Sequence, residues 1–96
     1  MKATPNIVLI ITDQQRADTI GAWGYPQMIT PHLDALVRSG VSFRKAFAQA
    51  TTCVASRACL FTGMYPHNTG VYSFDAWAEH RNWVHDLADA GYHCAN

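Results

Sequence analysis

The run NIVLIIT at residues 6–12 limits the fold more than any other stretch of this chain. From Ile7 to Ile11 every side chain is β-branched or leucine, so neither face of an extended segment is left for water. That pattern predicts a strand covered on both sides in a parallel sheet, and the run is far too short to span a membrane. It stops at Asp13, which places a carboxylate at the carboxyl end of the strand, followed by Gln14, Gln15 and Arg16.

The segment after it, rich in glycine and aromatic residues, is expected to be loop with one helical turn near Ala17. TPHLDALVRSG then predicts a helix: Thr30 as N-cap, Pro31 first in the helix, Leu33, Leu36 and Val37 on one face, and Gly40 as the stop. VSFRKAFA (41–48) alternates at its start and predicts a second strand. A helix from Ala55 to Thr62 ending at Gly63, a loop through MYPHNTGVYSFDAW, and a helix capped by Asn82 with Trp83, Val84 and Leu87 inward and Gly91 as its stop complete the pattern. YHCAN begins another extended segment. The alternation predicts an α/β fold with a mainly parallel sheet flanked by helices, and ligands in such sheets gather at the carboxyl ends of the strands.

Composition narrows the function. Of the 96 residues, 49% are hydrophobic and only 15% charged, a greasy balance for a free-standing domain of this size. With a strand begun at the end of the chain, this leads to the expectation that residues 1–96 are the truncated N-terminal portion of a larger domain, poorly soluble and inactive alone. Seven basic and seven acidic residues give no net field, so nucleic acid and membrane surfaces are not expected partners. Three cysteines without a CxxC pair argue against a disulfide framework or zinc finger. The absence of a visible signal peptide leads to a cytoplasmic expectation.

The chemistry concentrates in TTCVASRACLFTG at residues 51–63. A cysteine at a helix start faces the positive end of the macrodipole and unpaired N–H groups, a setting that favours anions. Arg57, one turn along, adds a permanent cation with donors suited to an oxyanion. Cys59 and Cys94 lie in apolar settings and are expected to be structural. An Asp directly after a strand can simply cap the following turn; Asp13 and Gln14 together also offer the carboxylate and amide oxygens that hard cations take. His67 is expected to serve structure or a pocket rim, Trp23, Trp77 and Trp83 core or pocket wall, and His32, His80, His85 and His93 no chemistry.

CVASRACLFTG resembles the sulfatase family's CxPSR motif with its downstream TG. In the same order, NIVLIITDQQRAD resembles the family's first strand with its metal-binding acid, TPHLDALVRSGVSFRKAFAQ its TPNLDxLAxxGxxFxxxYxQ segment, TGMYPHNTGV its TGxYPHxxGV turn, and LADAGYHCAN the start of its LxxxGYxTAxxGKWH segment. The resemblance covers essentially the whole chain and implies an alkaline-phosphatase-like α/β domain, of which 1–96 would be the N-terminal part.

It further implies that Cys53 is oxidised to formylglycine by a formylglycine-generating enzyme. One hydroxyl of the hydrated aldehyde attacks the ester sulfur and displaces the alcohol; the second then expels sulfate and restores the aldehyde. Arg57 would hold the diol, and Asp13, Gln14 and the modified Cys53 would ligate a divalent metal, Ca²⁺ ahead of Mg²⁺ or Mn²⁺. The implied substrate is a small sulfate monoester, and an oligomer is compatible with the family.

Two departures keep alternatives open. Asp13-Gln14 stands where the family usually has Asp-Asp, a pairing shared with phosphonate-hydrolase-like and choline-sulfatase-like branches, so a phosphonate or phosphate monoester is the alternative substrate. Ala55 replaces the motif's proline, which leaves open an unmodified Cys53 in a non-catalytic, degenerate chain.

Overall fold

A computed structural model describes residues 4–74 and 80–96. Trp77 lies outside the described residues. The described chain divides into two compact units, Met1–Arg44 and Lys45–Asn96, which are taken in turn.

In the first unit, residues 4–12 enter no helix, turn or strand pairing. The expected strand at 6–12 is thus not formed among the described residues, and the same holds for 41–48 and for the final segment. The physical reason is visible in the exposure. A strand exists only as part of a ladder, and here Val8 and Ile10 stand 81% and 78% exposed, with no partner strand beside them among the described residues.

Beyond this segment the chain turns twice, through 3-10 turns at Ala17–Thr19 and Gly21–Trp23. It then enters helix α1, Pro31–Ser39, with Thr30 before it and Pro31 at its first position, where the missing N–H costs no bond. Gly40 closes it, its N–H donating to Leu36 O at 2.9 Å. The helix lies against the Gly21–Trp23 turn. The indole of Trp23 donates to Ser42 Oγ at 2.8 Å, and Arg44 donates to the Trp23 carbonyl at 2.8 Å, so the half-buried ring is fixed at both ends of its residue.

The second unit is built on α2, Cys53–Thr62, which begins two residues earlier than the sequence pattern predicts. Its buried side chains, Ala55, Ala58 and Cys59, recur at helical spacing and form one face. Val71 packs on Ala55 and Ala58, with Ala50 and Val54 at the margin. Gly63 takes the left-handed conformation (φ 70°) that ends the helix, and its N–H donates to Cys59 O.

A short helix α3, Pro66–Thr69, occupies part of the stretch expected to be loop. Its proline at the start and left-handed Gly70 at the end are the local reasons it forms. Helix α4, Trp83–Asp89, carries a capping box: Asn82 Oδ1 accepts from Val84 N–H at 3.0 Å, while His85 Nδ1 accepts from Asn82 N–H at 3.3 Å. Trp83, Val84 and Leu87 are half-buried, and Trp83 stacks on Phe61 of α2 with ring centroids 5.2 Å apart. No helix among the described residues is long and apolar enough to cross a membrane.

Candidate functional site

The position of Cys53 is set by the start of α2. Thr52 has an extended backbone (φ −96°, ψ 151°), and its carbonyl accepts the first helical bond, from Ser56 N–H at 2.9 Å. Cys53 is therefore the first residue of the helix, and it is exposed. The Thr52 side chain does not cap the helix. Its hydroxyl is buried and meets no hydrogen-bond partner among the described residues.

The N–H groups of Cys53, Val54 and Ala55 precede the first helical bond, so they lie at the positive end of the helix with no side-chain oxygen from Thr52 upon them. Arg57 follows Cys53 by four positions on the same helix, half-buried, on the neighbouring turn of the same face. Cys53 and Arg57 thus stand one turn apart on α2.

Ala55 occupies the place of the motif's proline and is fully buried against Ala58 and Val71. Its N–H is one of those no helical carbonyl accepts, so a proline here would remove no backbone bond; the constraint is space, not hydrogen bonding.

In the first unit, Asp13 and Gln14 are both exposed. Gln14 has φ 51°, the left-handed region that a residue with a Cβ enters only at a cost. Beyond it Gln15 Nε2 donates to Thr19 Oγ1 at 3.4 Å, and Thr19 Oγ1 donates to Arg16 O at 2.6 Å. Arg16 pairs with Asp18.

Carboxylate and amide oxygens on adjacent residues suit a hard cation in kind. They fall short in number, since such ions take about six to eight oxygens, and no group of three or more His, Cys, Asp or Glu side chains among the described residues could hold a metal. Among the described residues these two donors alone do not make up a metal site.

Three residues acquire partners the sequence pattern does not assign. Asp34 Oδ1 accepts from Ala22 N–H at 2.9 Å and from Thr30 Oγ1 at 2.8 Å, and these bonds, the amide's first, hold its carboxyl below the usual range. His80 Nε2 meets Thr69 O at 2.9 Å, and His85 completes the α4 capping box. The Asn82-x-x-His85 spacing was a usable signal for the last; the Asp34 contacts cross a loop and had none. His67 stacks on Tyr65 with ring centroids 5.9 Å apart, both residues being exposed. Cys59 is buried as expected, whereas Cys94 is exposed, its thiol reaching only the carbonyls of Val84 and Tyr92 at 3.8 and 3.9 Å.

An exposed helix-start cysteine with an arginine one turn on, in a chain matched nearly end to end, defines the class. The sulfatase family model matches residues 5–94, and the chain belongs to the sulfatase family. It is 45% identical over 73 residues to an ulvan-active sulfatase of Formosa agariphila, covering 76% of this chain and 14% of that protein. It is 36% identical over 92 residues to an arylsulfatase of Clostridium perfringens, covering 93% and 19% respectively. Human arylsulfatase A is 40% identical over 68 residues, covering 71% and 13%. The chain therefore spans between 13% and 19% of the length of these relatives. No solved structure matches. Membership implies the alkaline-phosphatase-like α/β class that the alternation predicts, although the described residues hold helices and no strand.

Proposed function

We propose that residues 1–96 are the N-terminal portion of the catalytic domain of a sulfate monoester hydrolase whose nucleophile is made from Cys53. The observation that carries this reading is the exposed position of Cys53 at the first residue of α2, with Arg57 on the adjacent turn. Oxidation of the thiol to the aldehyde by a formylglycine-generating enzyme gives, on hydration, a diol at the uncapped positive end of the helix. One hydroxyl gives up its proton as it attacks the sulfur, the sulfur–oxygen bond to the alcohol breaks, and the leaving oxygen takes up a proton and departs as the alcohol. The other hydroxyl then loses its proton, the carbonyl re-forms, and sulfate leaves.

Arg57 supports both steps as a fixed cation beside developing negative charge. The backbone N–H groups of α2 act in the same sense. Asp13 and Gln14 would hold part of the divalent cation's shell, Ca²⁺ being the ion their hard oxygens suit best, and that ion would supply Lewis acidity and counter-charge when bound. An amide in place of a second carboxylate lowers the negative charge of the pair by one. That observation favours, as a second reading, a phosphonate or phosphate monoester as substrate.

The test is hydrolysis of matched aryl sulfate, phosphate and phosphonate esters by the full-length protein made together with a formylglycine-generating enzyme. Sulfate turnover well above the other two, abolished in Cys53→Ala, supports the first reading. Phosphonate or phosphate turnover that is faster and equally dependent on Cys53 selects the second. Turnover equal in Cys53→Ala and parent overturns both.

A further inference from the structure

The loop that follows Asp13 and Gln14 is tied down at its far end in a way that the chemistry at Cys53 does not use. Thr30 stands before α1, where a threonine hydroxyl ordinarily turns back to accept from the first amides of its own helix. Here it makes no such cap. Its Oγ1 instead accepts from Gly21 N–H at 2.9 Å and donates to Asp34 Oδ1 at 2.8 Å, while the same carboxylate oxygen accepts from Ala22 N–H at 2.9 Å. Two successive loop amides are thus gathered onto one hydroxyl and one carboxylate at the start of α1. The approach is close: a Cβ on Gly21 would lie 2.7 Å from the Met28 carbonyl oxygen and 3.2 Å from Asp34 Oδ2.

The near end of the same loop is strained. Gln14 is the one residue other than glycine with a positive φ among those described. Conformations of this kind persist only where the surroundings fix them. Between the two ends runs a short series of bonds, Gln15 to Thr19, Thr19 to Arg16 O, and then the Gly21–Trp23 turn lying on α1.

We infer that Asp34 is a positioning residue for the Asp13–Gln14 pair: with Thr30 it clamps the turn that follows the pair and thereby keeps Gln14 in its left-handed backbone. The inference rests on the reading of Asp13 and Gln14 as metal-holding donors, for it is that role which gives the fixed backbone a use. Asp34 acts through the loop, by its bonds to Ala22 N–H and Thr30 Oγ1.

The experiment compares the full-length parent, Asp34→Ala and Asp34→Asn. The asparagine keeps an acceptor oxygen of the same shape and serves as the conservative rescue. Amide hydrogen exchange, read on peptides covering 13–16 and 19–23 without added metal, is expected to accelerate in both peptides for Asp34→Ala and to stay near the parent for Asp34→Asn. Calcium titrated alone into each protein is expected to bind about tenfold to a hundredfold more weakly in Asp34→Ala, the range typical of residues that orient metal ligands, and near-normally in Asp34→Asn.

Unchanged exchange at 13–16 in Asp34→Ala overturns the inference, as does accelerated exchange with unchanged calcium affinity. If the parent shows no calcium binding that Asp13→Ala removes, the metal reading fails. Accelerated exchange at 13–16, rescued by asparagine, would then still uphold Asp34 as the residue that fixes that backbone, so the two failures are distinguishable.

Discussion

Replacing Thr52 by valine is expected to stabilise the chain. Thr52 Oγ1 is buried and has no partner among the described residues, and the side chain contributes no cap to α2. A buried hydroxyl left unpaired costs about 1–3 kcal/mol. Valine has the same branched shape with a methyl in place of the hydroxyl, and both residues favour the extended backbone found here, φ −96° and ψ 151°. The usual loss of about 1 kcal/mol on removing an N-cap does not apply, because there is no capping bond to lose. The net gain is therefore about 1–2 kcal/mol.

For a small domain the urea slope is about 1–3 kcal/mol per molar, so the unfolding midpoint should rise by roughly 0.5–1 M with the slope unchanged. Tryptophan fluorescence reports it, since Trp83 is stacked on Phe61 at the other end of α2. A midpoint that falls by a similar amount would show that the hydroxyl has a partner in solution, and the description of an uncapped α2 start would be wrong. Thr52→Ser, which keeps the hydroxyl, is the control and should not rise.

Three further outcomes are expected. Ala55→Pro restores the motif without removing a backbone bond, so conversion of Cys53 should increase in intact-mass measurements. Because Ala55 is fully buried against Ala58 and Val71, stability should fall by about 1–3 kcal/mol from overpacking. Arg57→Ala in the modified full-length protein should lower kcat by about 10²–10³, as removal of a charge-stabilising donor does, with substrate KM less affected; an unchanged kcat would remove Arg57 from the chemistry. The Asp34 carboxyl is held below its ordinary value by the Ala22 amide and the Thr30 hydroxyl. Its contribution to stability is thus complete above pH of about 4 and is lost as pH falls through the lower folded value. Acid titrations of stability should show this loss in the parent, and the step should be absent in Asp34→Asn.

Local structure was legible in the sequence wherever it is decided by neighbours in the chain. Pro31 and Gly40 bracket α1, Gly63 ends α2, and Asn82 starts α4, each for a reason that lies within one turn of helix, whereas Thr30, expected as the N-cap of α1, makes no capping bond. Cys53 and Arg57 follow from the same logic, since four positions along a helix is one turn. The early start of α2 was missed because Thr52 opens the helix through its backbone alone, with no capping side chain to read. Helix α3 was missed although Pro66 and Gly70 marked both ends, because four residues carry no periodicity.

What depends on distant partners was not legible. The pattern at 6–12 specifies a strand, but pairing needs a neighbour, and Ile7 through Ile11 remain exposed. Cys94, expected to be buried, is exposed. The Asp34 clamp joins residues 9 to 12 positions apart across an aperiodic loop, which no local rule anticipates.

The most direct test of the proposed function is the mass of the tryptic peptide spanning residues 46–57, AFAQATTCVASR, from full-length protein made with a formylglycine-generating enzyme, read beside sulfate ester turnover of the same sample. Sulfur is expected to be lost at Cys53, an aldehyde to be trapped there by a hydrazide reagent, and turnover to rise in proportion to its yield. A peptide that retains its thiol in a preparation that nevertheless turns over sulfate esters would contradict the proposed function.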